Sequence, residues 1–259
     1  KMGRTTALLD LDVHFGTGAL ALDLEPGRGL TDAIENPSRI DGLFIERAMV
    51  KSSERLSILS AEAPINSPVI SDGSAFYQLQ EEMRAAFECT ITDLPRAMLV
   101  NHPHLISDVQ LAVVVTELTL AAARDSIRIL SWLKSNAPQT HVFVVANKVH
   151  VGGQLEISRK DFEGSIERKI DFAIGFDQKT AAQAAKLGKA IAETGKGSKA
   201  IAPLHELATK LLVVADGSHD QNSGKPGKAA KSGSDQSSLM GKFGTLRGLI
   251  TKRAAKTKS

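Results

Sequence analysis

Leu8-Leu9-Asp10-Leu11-Asp12 is a short apolar stretch that ends in two acidic residues one position apart. It reads as a strand, and in parallel α/β sheets ligands sit beyond the carboxyl ends of the strands. Two carboxylates there, followed by Gly16 and Gly18, suit part of a nucleotide-phosphate and Mg²⁺ site. The Gly-rich phosphate loop with a lysine that would complete such a site is not found in the sequence. It is expected upstream, and Lys1-Met2-Gly3-Arg4 reads as the end of a helix. The expectation is therefore a chain from which the first strand and the phosphate loop have been removed.

Outward from this stretch, apolar runs of strand length alternate with helical patterns. Thr6–Leu11, Leu56–Ser60, Phe87–Thr92, Ala112–Thr116, His141–Ala146 and Phe172–Phe176 read as strands, mostly continuous apolar runs that suit a sheet covered on both faces. Asp41–Val50 reads as a short helix. Ser74–Ala86 carries Phe76, Leu79 and Met83 at spacings of three and four, and Thr119–Ser135 carries Ile127, Leu130 and Leu133. Ser158 and Asp161 read as the cap of a further helix, and Ala181–Glu193 and Leu204–Val214 complete the pattern. Such alternation predicts an α/β domain with a mostly parallel sheet and helices on both faces.

The chain of 259 residues is 42% hydrophobic and 24% charged, enough for one α/β domain with a sizeable core. Aromatic residues make up only 4%, which argues against a base-stacking nucleic-acid surface. The lone cysteine, Cys89, excludes an intramolecular disulfide and fits a reducing cytosol. No run of ~18 apolar residues occurs, so no spanning helix is predicted. Residues 216–259 carry nine Lys or Arg against three Asp, whereas the whole chain is at +3, so residues 1–215 are mildly acidic and the tail is basic. Residues 1–215 are expected to form the folded domain. Residues 216–238, rich in Gly, Ser, Lys, Asp and Gln, read as a flexible linker, and residues 239–259 as a basic amphipathic tail.

Four constellations carry candidate chemistry. Asp10 and Asp12 form the first, with a helix cap or turn as the plain alternative. Asp93 ends a second apolar strand, Cys89-Thr90-Ile91-Thr92-Asp93, as P-loop proteins end the strand that holds Mg²⁺ through a water; a turn-forming Asp before Pro95 is the alternative. Asn147 ends the run Val142–Ala146, where its amide can read a base edge or cap the strand. Phe176-Asp177-Gln178 is the polar turn after the last strand. His102-Pro103-His104 reads as surface loop rather than metal site, and His14 as a solvated neighbour of the acidic strand end.

Leu8–Gly16 resembles the strand that follows the deviant phosphate loop in MinD/ParA-type ATPases. Leu20–Pro26, Gly29–Pro37, Ile40-Asp41, Glu46–Val50, Thr116–Asp125 and Ile157–Glu163 resemble more closely the CpaE/TadZ branch, its pilus-assembly members. The resemblance spans residues 1–213 and implies a P-loop NTPase-like fold that takes ATP and Mg²⁺. It implies that Asp12 positions the attacking water and the Mg²⁺ shell, that Asp93 binds Mg²⁺ through water, and that Asp10 contacts the missing loop or is structural. It places Asn147 against the adenine, with Phe176 and Asp177 in the turn that closes over the base. It also implies a homodimer with ATP between subunits, acting on pilus and secretion machinery, cytoplasmic and either at a cell pole or peripheral to the inner membrane.

The segment Asp93-Leu94-Pro95-Arg96 departs from the family, in which many members have a Gly soon after the Pro. In that family the missing strand lies mid-sheet, so its loss leaves two unpaired edges, each backbone group costing ~1–3 kcal/mol if unsatisfied. The chain by itself is expected to be unstable or to aggregate. In the tail, Leu239, Met240, Phe243, Leu246, Leu249 and Ile250 fall at helical spacings beside Lys242, Arg247, Lys252 and Arg253. Residues 239–253 can thus lie in an anionic membrane interface, dock on a partner, or serve only as a solubilising tail. Three functions follow: an ATP-dependent dimerisation switch that hydrolyses ATP, a nucleotide-independent polar scaffold, and a DNA-partitioning ATPase. The acidic domain argues against the last.

Overall fold

In the computed structural model, which describes residues 3–66, 71, 73–150, 152 and 156–221, the chain order is strand-helix alternation with one antiparallel excursion. The elements are β1 (Thr6–Asp10), α1 (Gly29–Glu35), α2 (Gly42–Ala48), β2 (Val50–Ser53), β3 (Leu56–Leu59), α3 (Ser74–Ala86) and β4 (Cys89–Asp93). There follow α4 (Arg96–Asn101), α5 (His104–Ser107), β5 (Leu111–Thr116), α6 (Leu120–Asn136), β6 (His141–Val149), α7 (Arg159–Ile166) and β7 (Phe172–Gly175). The last three are α8 (Gln178–Lys186), α9 (Ile191–Thr194) and α10 (Ala202–Gln221). The chain divides into two units, Lys1–Asp108 with Gln178–Gly195, and Val109–Asp177 with Lys196 onward.

The sheet of the first unit runs β2-β3-β1-β4. β1 is parallel to both β3 and β4, and β2 pairs antiparallel with β3. Ala7 and Leu9 of β1 are fully buried. They meet Phe76, Leu79 and Met83 of α3, whose three-four spacing puts all three on one face, together with Leu30 of α1 and Ile45 of α2. Asp41 caps α2, its carboxylate Oδ1 accepting from Phe44 N at 2.7 Å. The sheet of the second unit runs β5-β6-β7, all parallel. Its core joins Val144 and Ala146 of β6 to Ile127 of α6 and Phe162 of α7. Thr119 caps α6 through Ala122 N at 3.1 Å. Ser158 caps α7 as expected, accepting from Asp161 N at 3.1 Å, and its hydroxyl donates to the Asp161 carboxylate at 2.7 Å.

Among the described residues β4 pairs with β1 alone and β5 with β6 alone, so each sheet carries a free parallel edge. Ile91 on β4 and Val115 on β5 are more than half exposed there. No described helix is long and apolar enough to cross a membrane.

The structure differs from the sequence reading in several places. It adds α1, α4 and α5, and where His102-Pro103-His104 reads as surface loop, His102 and His104 are half-buried, with the His102 ring packed 5.0 Å from that of Phe76 and His104 opening α5. It ends α2 at Ala48 and starts β2 at Val50, where one helix to Val50 is expected. It breaks the expected helix Ala181–Glu193 into α8 and α9 at Gly188. That glycine has φ +55° and lies so close to Asp23 that an added Cβ would sit 2.2 Å from the aspartate's Cβ. Finally, α10 runs through Asp216 to Gln221, into the stretch that reads as linker. The rest of the linker and the tail at 239–259 lie outside the described residues.

Candidate functional site

The parallel pairing of β1 with β4 sets Asp10 directly beside Asp93, the last residues of both strands. Leu11 N donates to Asp93 O at 3.1 Å, carrying the pairing one residue further before the chain turns away. The three strand-end aspartates therefore gather in the first unit, at the carboxyl ends of adjacent parallel strands, where α/β sheets place their ligands.

They are not equivalent. Asp10 is 1% exposed, and its carboxylate is committed to the loop that follows: Oδ1 accepts from Asp12 N at 3.1 Å and Oδ2 from Gly18 N at 2.9 Å. The loop closes so tightly that a Cβ on Gly16 would lie 2.6 Å from Asp10 Oδ2 and 2.6 Å from Asp12 O, and one on Gly18 would lie 2.9 Å from Asp10 Oδ2. Both glycines are there to let the backbone wrap around the buried carboxylate. Asp12 is half-buried, and its Oδ1 accepts from Phe15 N at 3.1 Å. Asp93 stands at the exposed free edge of the sheet. Burial, and after it the negative charges of Asp10 and Asp12, push the Asp93 carboxyl above its ordinary value.

Negative charge is thus concentrated at these strand ends. Among the described residues no group of three or more His, Cys, Asp or Glu side chains is arranged to hold a metal ion by itself. Mg²⁺, by contrast, uses one or two carboxylates and completes its shell with waters and substrate phosphates. Asp12 and Asp93 are hard oxygen donors of that kind, and a divalent cation held there would offset the charges of Asp10 and Asp12 that, after burial, raise Asp93.

Asn147, Phe176 and Asp177 belong to the second unit, at the ends of β6 and β7. The register of β6 against β7 slips between Ala146 and Val149, and Lys148 within that bulge has φ +52°, a conformation few L-residues adopt. Asn147 turns its Oδ1 to Lys148 N at 2.9 Å, leaving its amide NH₂ available. Lys148 Nζ pairs with Glu117 Oε1 at 2.8 Å at the end of β5. Phe176 N donates to Val149 O at 3.0 Å, and the Phe176 ring lies 4.6 Å from that of His150 at an interplanar angle of 39°. Phe176 remains 45% exposed. Asp177 accepts from Ser198 Oγ at 2.8 Å, which ties the turn to the segment before α10. Sequence reasoning missed His150, Lys148 and Glu117. The alternation Lys148-Val149-His150 at the end of an apolar strand is the signal that could have found them.

No family model matches the chain, and no curated protein does. Solved structures do match. A ParA family ATPase from Chlorobium tepidum superposes with a TM-score of 0.71 at 16% identity, over 81% of this chain and 86% of that one. MinD in the MinC:MinD cell division complex of Aquifex aeolicus gives 0.65 at 18% identity, over 90% of this chain and 88% of that one. MinD of Pyrococcus horikoshii complexed with Mg-ADP gives 0.59 at 16% identity, over 81% and 84%. At these identities the likeness is one of fold: the chain has the α/β architecture of the MinD and ParA ATPases.

Proposed function

We propose that the chain is a MinD/ParA-type ATPase of the CpaE/TadZ pilus-assembly branch, a homodimeric switch set by ATP and Mg²⁺ that localises secretion machinery. The observation that carries this reading is the gathering of Asp10, Asp12 and Asp93 at the carboxyl ends of adjacent parallel strands, where burial and the charges of Asp10 and Asp12 raise the Asp93 carboxyl. The neighbour from Pyrococcus horikoshii, which has Mg-ADP bound, supports the choice of nucleotide and metal. In this reading Asp93 and Asp12 hold the Mg²⁺ shell, and Asp12 also orients the attacking water. Asp10 keeps the loop from Asp12 to Gly18 in shape. Mg²⁺, when bound, neutralises charge developing on the transferred phosphoryl group. Asn147 offers its free amide to the base edge, and Phe176 offers it a flat apolar face. The branch assignment rests on the sequence segments from Leu20 to Val50 and from Thr116 to Glu163.

The test is Mg-ATP binding and self-association of the full-length protein, followed with a fluorescent ATP analogue and by light scattering. Dimerisation that requires Mg²⁺ and is abolished by Asp12→Ala and by Asp93→Ala supports the switch. Self-association and polar localisation indifferent to nucleotide and to both substitutions would instead establish the nucleotide-independent scaffold.

A further inference from the structure

The first unit carries an open cleft of about 620 Å³, walled by α1, α2 and the start of β2. Its lining runs from Gly27 to Val50 and includes none of the strand-end aspartates. Three exposed arginines surround it, Arg28, Arg39 and Arg47. Arg28 meets Asp32 at 3.8 Å with both side chains largely solvated, whereas Arg39 and Arg47 have no ion pair or side-chain hydrogen bond among the described residues. The other acidic residue of the lining, Asp41, is engaged as the α2 cap. Two guanidinium groups are thus left without an ion-pair partner among the described residues, and the lining carries three arginines against two aspartates, in a domain whose sequence is mildly acidic. Guanidinium forks match carboxylates in shape as well as charge.

Beneath the arginines the surface is apolar. Leu43 is 52% exposed, and Phe44 and Met49 are half-buried against the core. The arginines, Phe44 and Met49 of the lining are of the residue types enriched at interfaces. The cleft ends at Val50, the first residue of β2, a strand that among the described residues pairs with β3 alone and so leaves its outer backbone edge open. Lys51 is exposed on the same strand and adds to the positive charge.

These features select among occupants. A free strand edge reads the N–H and C=O groups of another extended peptide, in a register that neither a lipid nor a nucleic acid can supply. The chain's own tail carries the wrong sign, with nine basic residues against three acidic ones from 216 to 259. We propose that the cleft and the outer edge of β2 dock an extended acidic segment of a partner protein, its carboxylates on Arg39 and Arg47 and its apolar side chains on Leu43 and Phe44.

The test is fluorescence anisotropy with a fluorescein-labelled peptide of alternating Glu and Leu, titrated with the full chain. Binding is expected, falling roughly tenfold or more in the Arg39→Glu/Arg47→Glu variant, as for arginines central to an interface. A peptide of alternating Lys and Leu is expected to gain affinity for that same variant, a charge-swap rescue that a misfolded variant could not give. Equal affinity of the original and the variant for the acidic peptide would place it on the basic tail or elsewhere and overturn the proposal. So would equal binding of polyglutamate, which lacks the apolar side chains. Capture of phosphatidylglycerol vesicles through the same arginines without peptide binding would assign the cleft to a membrane surface and overturn it as well.

Discussion

Removing the Asp10 side chain separates a structural role for that residue from a role in holding ligand. Its carboxylate accepts from two backbone N–H groups, those of Asp12 and Gly18, and it is 1% exposed. A hydrogen bond to a charged group contributes about 1.5–3 kcal/mol, so Asp10→Ala is expected to destabilise the first unit by about 3–6 kcal/mol. For a unit of this size that is a fall in the unfolding midpoint of about 10–20 °C. Asp10→Asn keeps one acceptor and sets an amide NH₂ against the other N–H, so it should lose at least half as much. The chain's single tyrosine, Tyr77, lies on α3 within this unit, and its single tryptophan, Trp132, lies in the other. Tyrosine emission in a Trp132→Phe background therefore follows the unit in which the substitution acts. An Asp10→Ala midpoint within about 2 °C of the parent would show that the loop does not depend on this carboxylate, and the division of roles among the three aspartates would fall with it.

Two further outcomes test the second unit. Glu163 is buried and accepts from Lys169 Nζ at 2.7 Å, Arg159 Nε at 2.9 Å and Ile170 N at 3.2 Å, and these partners hold its pKa down to about 2. A depressed carboxyl pKa stabilises the fold fully above the unfolded value near 4.5, and the contribution fades as pH falls toward about 2. Acidification from neutral pH to pH values between these two should thus weaken the parent more than Glu163→Gln by Trp132 emission, and equal losses would contradict the assignment. The hydroxyls of Thr116 and Ser126 meet at 3.1 Å in a buried site between β5 and α6. Thr116→Val leaves Ser126 without this partner and should destabilise by about 1–3 kcal/mol, whereas the double variant Thr116→Val/Ser126→Ala should recover most of that. Additive losses in urea unfolding would show that the two hydroxyls do not depend on each other.

What was legible in the chain depended on whether a signal was local. Phe76, Leu79 and Met83 repeat at the period of a helix, and Ser158 with Asp161 marks a helix start whatever surrounds it, so α3 and α7 could be read directly. The parallel sheet was legible because its strands are continuous apolar runs. β2 was not, because Val50-Lys51-Ser52-Ser53 is short and polar and becomes a strand only by pairing with β3. The break between α8 and α9 was hidden in an Ala- and Lys-rich stretch with good helix propensity, since the deciding contact is between Gly188 and the distant Asp23. The continuation of α10 past Asp216 runs the other way: composition reads as linker from Asp216, yet the helix continues as far as Gln221.

The site shows the same division at finer scale. That carboxylates gather at the ends of two strands could be read from Asp10, Asp12 and Asp93 alone. Which of them faces outward could not, because that depends on where the backbone N–H groups of the next loop come to rest. Gly16 and Gly18 suit a loop that offers N–H groups to a phosphate. In the structure that chemistry is present, but the anion is supplied by the chain: Asp12 N and Gly18 N point at the Asp10 carboxylate, and the glycines leave no room for anything between. Two donors already used by Asp10 are not available to a nucleotide. The loop holds Asp12 near enough to Asp93 that, after burial and the charge of Asp10, the charge of Asp12 also raises the Asp93 carboxyl.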